Sequence, residues 1–344
     1  MREISAEHFR QACNMRGWLL CGILIFCTVT SAQEVNQPQP TMLRVTDSHS
    51  LSVPGFASFD RPQCDGNGNL YFRPVAASRR FSDSVRILRI DIKTDTPTLY
   101  DLPPEVAAKF SPVAFSVSNS GSVWLLEVDP SDEYDAFGFD SNGKMSASVH
   151  LRTPAKLLAT WFRVADDSNV LVAGHFTDEA PKEMQGKPYL AIFDKNGNLR
   201  KTLGSADLDS VDLAAASQGP IGGDVALGTD GNFYLLQRDN ILVISEYGEI
   251  VRQMKIARPG NGAFGDGLEL ADGFLSIRFV TIDKDHSVHT QFLVLYAANG
   301  ANYALYRGSD ELGKTLPLCF TGRSGYLFET NDHGRIKLLT EALR

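Results

Sequence analysis

Apolar runs of four to eight residues recur along the chain, each bounded by Gly, Asn, Asp or Pro: "LYFRPV", "VRILRIDI", "SVWLLEVD", "NVLVAGHF", "YLAIFD", "NFYLLQ", "NILVIS", "FLSIRFV", "QFLVLYA", "GYLFET" and "RIKLLT". Runs of this length with these boundaries predict β-strands, and no segment carries a sustained helical period. "PPEVAAKF" (103–110) and "DLDSVDLAAAS" (207–217) have the composition of short helical turns, and both fall between strands.

A longer repeat lies over the strands. A turn rich in Asp, Gly, Asn or Ser leads into an apolar strand, with the turn centred near Gly68, Gly121, Ser168, Gly231, Asp272 and Ser324, at spacings of 53, 47, 63, 41 and 52. The fullest copy is "GGDVALGTDGNFYLLQRDNILVISEYGEIVRQMKI" (222–256). It reads as four strands joined by short turns, which is one blade of a β-propeller. Six copies predict an all-β, six-bladed propeller over 41–344, whereas a jelly roll or sandwich leaves a period near fifty unexplained. The last copy has three strands before the chain ends. "TMLRVTDSHSLSVP" (41–54) is expected to supply the fourth, so that an N-terminal strand closes the ring and removes two sheet edges at once.

The start of the chain reads as an export signal. Arg2, Arg10 and Arg16 precede the apolar run Trp18–Val29, and "TSAQE" follows, with cleavage expected after Ala32. Twelve apolar residues fall short of the ~20 a membrane-spanning helix needs, which disfavours the alternative of a retained anchor. "QEVNQPQP" (33–40) reads as a disordered lead-in to a single domain. The expected mature chain, 33–344, is secreted or periplasmic and carries 30 basic against 39 acidic residues, a net −9. No dense Lys/Arg block favours nucleic acid or an anionic membrane surface, and a monomer is expected. Cys13, Cys21 and Cys27 belong to the leader, leaving Cys64 and Cys319 in an oxidising compartment. Both sit just before the repeated turn, on strands expected to be neighbours in a closed ring. They form either an inter-blade disulfide or two separate buried thiols.

The copy "DVALGTDGNFYLLQRDNILVISEYGEIVRQ" resembles the NHL-type repeat of six-bladed propellers, and "CDGNGNLYFRP" and "FSVSNSGSVWLLE" resemble it more loosely. The resemblance extends to the gluconolactonase-like, TolB-like superfamily and implies architecture more than activity. Gluconolactonase-like relatives imply an axial divalent metal whose first ligand comes from a Glu-Gly-Pro element. The corresponding stretch here, Arg61-Pro62-Gln63-Cys64, has no carboxylate. "GSVWLLE" is similar to a blade segment of streptogramin-lyase-like propellers, which imply a catalytic His and Glu near the axis; no partner His can be assigned.

Candidate chemistry is sparse. "DGNGNLYF" (65–72) and "DKNGN" (194–198) present alternating oxygen donors, but a calcium loop of the EF-hand type needs Gly at position six and Glu at twelve. Leu70 and Ala76 stand there in the first, Leu199 and Ser205 in the second, so a β-turn is the expectation. His286 and His289 lack the further ligands zinc requires, and His49, His150 and His333 have no partners by sequence. Neither metal nor cofactor is expected. Aligning the second strands places Arg73, Glu127, His175, Gln237 with Arg238, Arg278 and Glu329 at strand ends, where they would ring one mouth of the channel. A ring of carboxylates, guanidinia and one imidazole suits a binding module for a protein partner or a polar small molecule. The alternative is a lactonase-like hydrolase or lyase, metal-dependent or not, using the same groups as acid and base.

Overall fold

In a computed structural model of the chain, the described residues lie within 40–342, and the longest stretches outside them there are 77–84, 204–223, 283–287, 308–315 and 331–334. The leader, the lead-in to residue 39, the 207–217 segment, Arg238, His286 and His333 therefore lie outside the described residues.

β1 (Thr41–Met42) and β2 (Val45–Ser52) open the chain, and six runs of strands follow. The first comprises β3 (Phe56–Cys64), β4 (Leu70–Ala76), β5 (Val85–Asp91) and β6 (Thr96–Asp101). A single helical turn, α1 (Pro104–Ala107), leads to β7 (Ser111–Val117), β8 (Val123–Val128), β9 (Tyr134–Phe139) and β10 (Met145–Leu151). The third run is β11 (Leu157–Val164), β12 (Val170–Phe176), β13 (Pro188–Phe193) and β14 (Leu199–Leu203). The fourth is β15 (Val225–Leu227), β16 (Phe233–Leu236), β17 (Asn240–Ile244) and β18 (Ile250–Lys255). The fifth is β19 (Phe264–Ala271), β20 (Phe274–Ile282), β21 (Val288–Tyr296) and β22 (Asn302–Arg307), and the last is β23 (Leu316–Thr321), β24 (Ser324–Thr330) and β25 (Arg335–Ala342).

Each run is an antiparallel meander, and among the described residues the strands make six sheets, five of four strands and one of five. The fifth gains β1 as a parallel outer strand, and the sixth gains β2, which pairs antiparallel with β25 in a register that sets Ser48 opposite Leu339. The leading strands pack in the order β3, β7, β11, β15, β19, β23, and β23 in turn contacts β3. Meanders arranged radially with their first strands inward are a β-propeller.

The sequence runs are apolar without a break because a propeller blade is covered on both faces. Along β13, Tyr189, Ala191 and Phe193 pack toward the second sheet, while Leu190 and Ile192 pack toward the fourth. β8 does the same, with Leu126 facing the third sheet and Val123 and Leu125 the first. The outer strands β6, β10, β14 and β18 lose this cover and alternate toward solvent.

The recurring Asp-rich turns have one geometry. Asp194 Oδ1 accepts from the N–H groups of Asn196 and Asn198 at 2.8 and 2.9 Å, and Asp129 and Asp140 accept from the residues two and four on in the same way. Gly143 and Gly197 close two of these turns at φ +81° and +76°. Asp65 shares the scheme, taking the N–H groups of Asn67 and Asn69 at 2.9 Å, while its buried Oδ2 also takes the Tyr71 hydroxyl at 3.0 Å. These oxygens are spent on the turn backbone and on strand anchoring.

Candidate functional site

Polar side chains on the inner strands link one sheet to the next. Gln63, on β3, donates to Phe115 O at 2.8 Å and accepts from Val117 N at 3.0 Å, which fastens it along β7. Ser116 of β7, fully buried, accepts from Val164 N of β11 at 3.0 Å. Arg163 of β11 reaches Asp224, immediately before β15, at 3.4 Å. Asp224 also accepts from Val225 N at 2.7 Å and, through its other oxygen, from Leu268 N of β19 at 3.0 Å. Beside Leu268, Glu269 returns toward the start of the series: its Oε2 lies 3.6 Å from Cys64 Sγ on β3.

Three blades therefore gather Arg163, Asp224 and Glu269 around the axis, with Arg278 close by. Arg278 lies opposite Gly267 on the paired strand, where a Cβ would stand only 3.4 Å from its own Cβ and 3.5 Å from its Nε. The missing side chain at Gly267 leaves the guanidinium room against the inner strand. Burial pushes the Glu269 carboxyl well above the usual carboxylate range, the nearby Asp224 charge adds to this, and Arg163 and Arg278 oppose it. Taken as a whole residue, Glu269 is half-buried.

The sequence-predicted ring residues are distributed differently from one another. Glu127 is fully buried, its Oε1 bonded at 2.7 Å to Arg86 of the neighbouring blade, so it is closed off from the channel mouth. Burial raises its carboxyl to about 7, against the pull of Arg86. His175, at the end of β12, is part-exposed, and its Nδ1 is buried without a hydrogen-bond partner among the described residues. Gln237 is buried, and its backbone N–H donates to Asn240 O at 2.8 Å. Arg73 stands opposite Asp60 of the paired strand. Glu329 stands opposite Lys337, and Arg238 lies outside the described residues. Of the predicted set, Arg278 joins the axial cluster.

Arg163, Asp224 and Glu269 escape a reading centred on second-strand ends. Their signal is a charged residue inside or at the edge of an inner-strand apolar run: "WFRVA", "GDVAL" and "LELA". Gln63 belongs to the stretch where a gluconolactonase-like protein would place its first metal ligand, and here it is fastened to β7. Among the described residues, no group of three or more His, Cys, Asp or Glu side chains is placed to hold a metal ion.

Fold and site together define a β-propeller with a charged cluster on its axis. No family model matches the chain, and no curated protein matches it. Among solved structures, a luciferin-regenerating enzyme aligns at 11% identity and TM-score 0.48, covering 86% of this chain and 97% of its own. A gluconolactonase from Xanthomonas campestris aligns at 11% identity and TM-score 0.49, covering 88% and 95%. The Dos1 propeller aligns at 10% identity and TM-score 0.39, covering 82% and 77%.

Proposed function

We propose that this protein is an exported six-bladed propeller, closed by β2 on the last blade, that acts as a binding module for a polar ligand held at the axis. The observation that carries the reading is the convergence of Arg163, Asp224, Glu269 and Arg278 from three inner regions of the ring. Guanidinium and carboxyl groups fixed by backbone hydrogen bonds offer donors and acceptors in a set geometry, which is how a mostly apolar scaffold acquires specificity for a polar molecule. Arg73 and His175 belong to this reading as mouth residues, and Arg238 and Glu329 complete the set on sequence grounds. Glu127 serves the blade boundary instead. Thermal-shift measurements with small carboxylates, inorganic phosphate and neutral sugars test it. One class is expected to raise Tm in the wild type and to lose that effect in Arg278→Gln. No shift from any class, or the same shift in the variant, overturns it.

A second reading, a propeller hydrolase or lyase, is favoured by one feature: Glu269 is a carboxyl held toward its protonated form, as a general acid must be. Turnover of a lactone by the wild type, abolished in Glu269→Gln, is its expected signature.

Cys64 and Cys319 are proposed to form a disulfide between the first and last blades. β3 and β23 are neighbours, so Cys64 and Cys319 lie on adjoining inner strands. The bridge closes a loop of more than 250 residues, for which chain entropy predicts roughly 4–5 kcal/mol.

A further inference from the structure

The third and fourth sheets meet over an apolar layer to which β12 gives Leu171 and Ala173 and β16 gives Phe233 and Leu235. Strand alternation puts the next residue of each row two positions on: His175 at the end of β12, and Gln237 directly after β16. Each row therefore ends at the same boundary in a polar side chain. His175 Nδ1 and Gln237 Oε1 are both buried, and neither has a hydrogen-bond partner among the described residues. Gln237 as a whole is only 4% exposed. Across the sheet, His175 stands between Leu158 and Pro188, whose side chains carry no polar group to answer it. Trp161 of β11 packs against the same apolar layer, and Leu158 is 49% exposed, so this end of the boundary meets solvent.

We propose that this boundary is a subsite for a primary ammonium group, with Gln237 Oε1 and His175 Nδ1 as acceptors and Trp161 as an aromatic wall. An amide oxygen only accepts, and a neutral imidazole with its proton on Nε2 accepts at Nδ1. Of the aromatic side chains, an indole face attracts a cation most strongly. All three groups therefore suit a cation that donates N–H bonds. A hydroxyl has one proton and satisfies one acceptor, whereas an ammonium has three and satisfies both. Arg163, two residues along β11 from Trp161, is engaged elsewhere, held by Asp224 at 3.4 Å and by Phe162 O at 2.9 Å. The subsite goes beyond the axial cluster and does not depend on it, since Asp224, Glu269 and Arg278 take no part.

The probe is n-butylammonium, titrated against the folded protein at constant ionic strength and followed by ligand NMR relaxation, with n-butanol as the uncharged control. Saturable binding of the ammonium is expected, and none of the alcohol. Gln237→Leu and His175→Leu should each weaken it at least about tenfold, as loss of a hydrogen bond to a charged group does. Gln237→Glu sets an anion beside the ammonium and should tighten binding, a gain that misfolding does not produce. Spermidine and Nα-acetyl-lysine amide carry the same group; binding of either supports the subsite, and the tighter of the two tells a free polyamine from a protein lysine. Arg278→Gln, which removes the proposed axial binding, is expected to keep the ammonium. Loss of ammonium binding in that variant would place the ammonium at the axis and overturn the subsite. An absence of saturable binding, equal binding of n-butanol, or unchanged affinity in both Leu variants overturns it as well.

Discussion

Arg86 donates through Nε to Glu127 Oε1 at 2.7 Å across the boundary between the first and second blades, in a pair closed almost completely from water. The same guanidinium donates to Ala107 O and Phe110 O at 3.2 and 3.3 Å, tying the end of α1 to the pair. Glu127 Oε2 has no hydrogen-bond partner among the described residues. One charged contact therefore aligns two strands and the connection between them, and it leaves a carboxyl whose ionisation is costly.

That cost sets a pH dependence. Burial raises Glu127 to about 7 from an ordinary 4.5. Between those values the folded protein holds a proton that the unfolded chain has released. Its contribution to stability therefore falls as pH rises from 4.5 to 7, and is level above that window. Glu127→Gln removes the titration. Its stability relative to wild type should be higher at pH 8 than at pH 5 by roughly 3 kcal/mol, read from urea midpoints and slopes. Equal differences at the two pH values overturn the assignment.

Removing the other partner has the opposite pH signature. Arg86→Met leaves a buried carboxylate without its cation at pH 8, a loss of about 3–5 kcal/mol. At pH 5 the carboxyl is protonated in the folded state and the loss is smaller. Chemical denaturation of the variant at both values is the measurement, and a loss independent of pH would argue that Arg86 acts through packing alone.

Turn glycines join the blades at their outer rims. Gly197, at φ +76°, sits where a Cβ would collide with the His150 carbonyl of the preceding blade, and Arg152 N donates to Gly197 O at 3.4 Å. Gly143 repeats this against Leu99 of the first blade. Gly197→Ala meets both an unfavourable backbone conformation and a backbone clash, so a loss above the ~1 kcal/mol of positive φ alone is expected. Gly231, also at positive φ but with no described atom within 4 Å of an added Cβ, isolates the conformational part. In thermal melts Gly231→Ala should lower Tm less than Gly197→Ala does.

The strands and the recurring turns were legible in the sequence because two-faced burial writes unbroken apolar runs, and Asp-x-x-Gly turns need particular residues. "PPEVAAKF" held a helical turn for a comparable local reason, Pro104 opening α1. The axial site was harder to read. Arg163, Asp224 and Glu269 are far apart in sequence, and only the radial arrangement brings them together. Glu127 was misplaced because a strand-end position does not specify whether a side chain turns toward the axis or into the adjoining blade. Arg86, on β5 of the neighbouring sheet, decides that.

The axial cluster makes its own energetic prediction. Asp224 answers three donors at once: Val225 N, Leu268 N and the Arg163 guanidinium. Asp224→Ala leaves all three without this acceptor, and each abandoned buried donor costs about 1–3 kcal/mol. Asn at this position keeps one acceptor oxygen, so Asp224→Asn should lose clearly less. In a double-mutant cycle with Arg163→Met, a coupling of about 0.5–3 kcal/mol is expected, because the pair is in contact and only partly exposed. Additive losses would place Arg163 outside the network and remove one guanidinium from the proposed binding site.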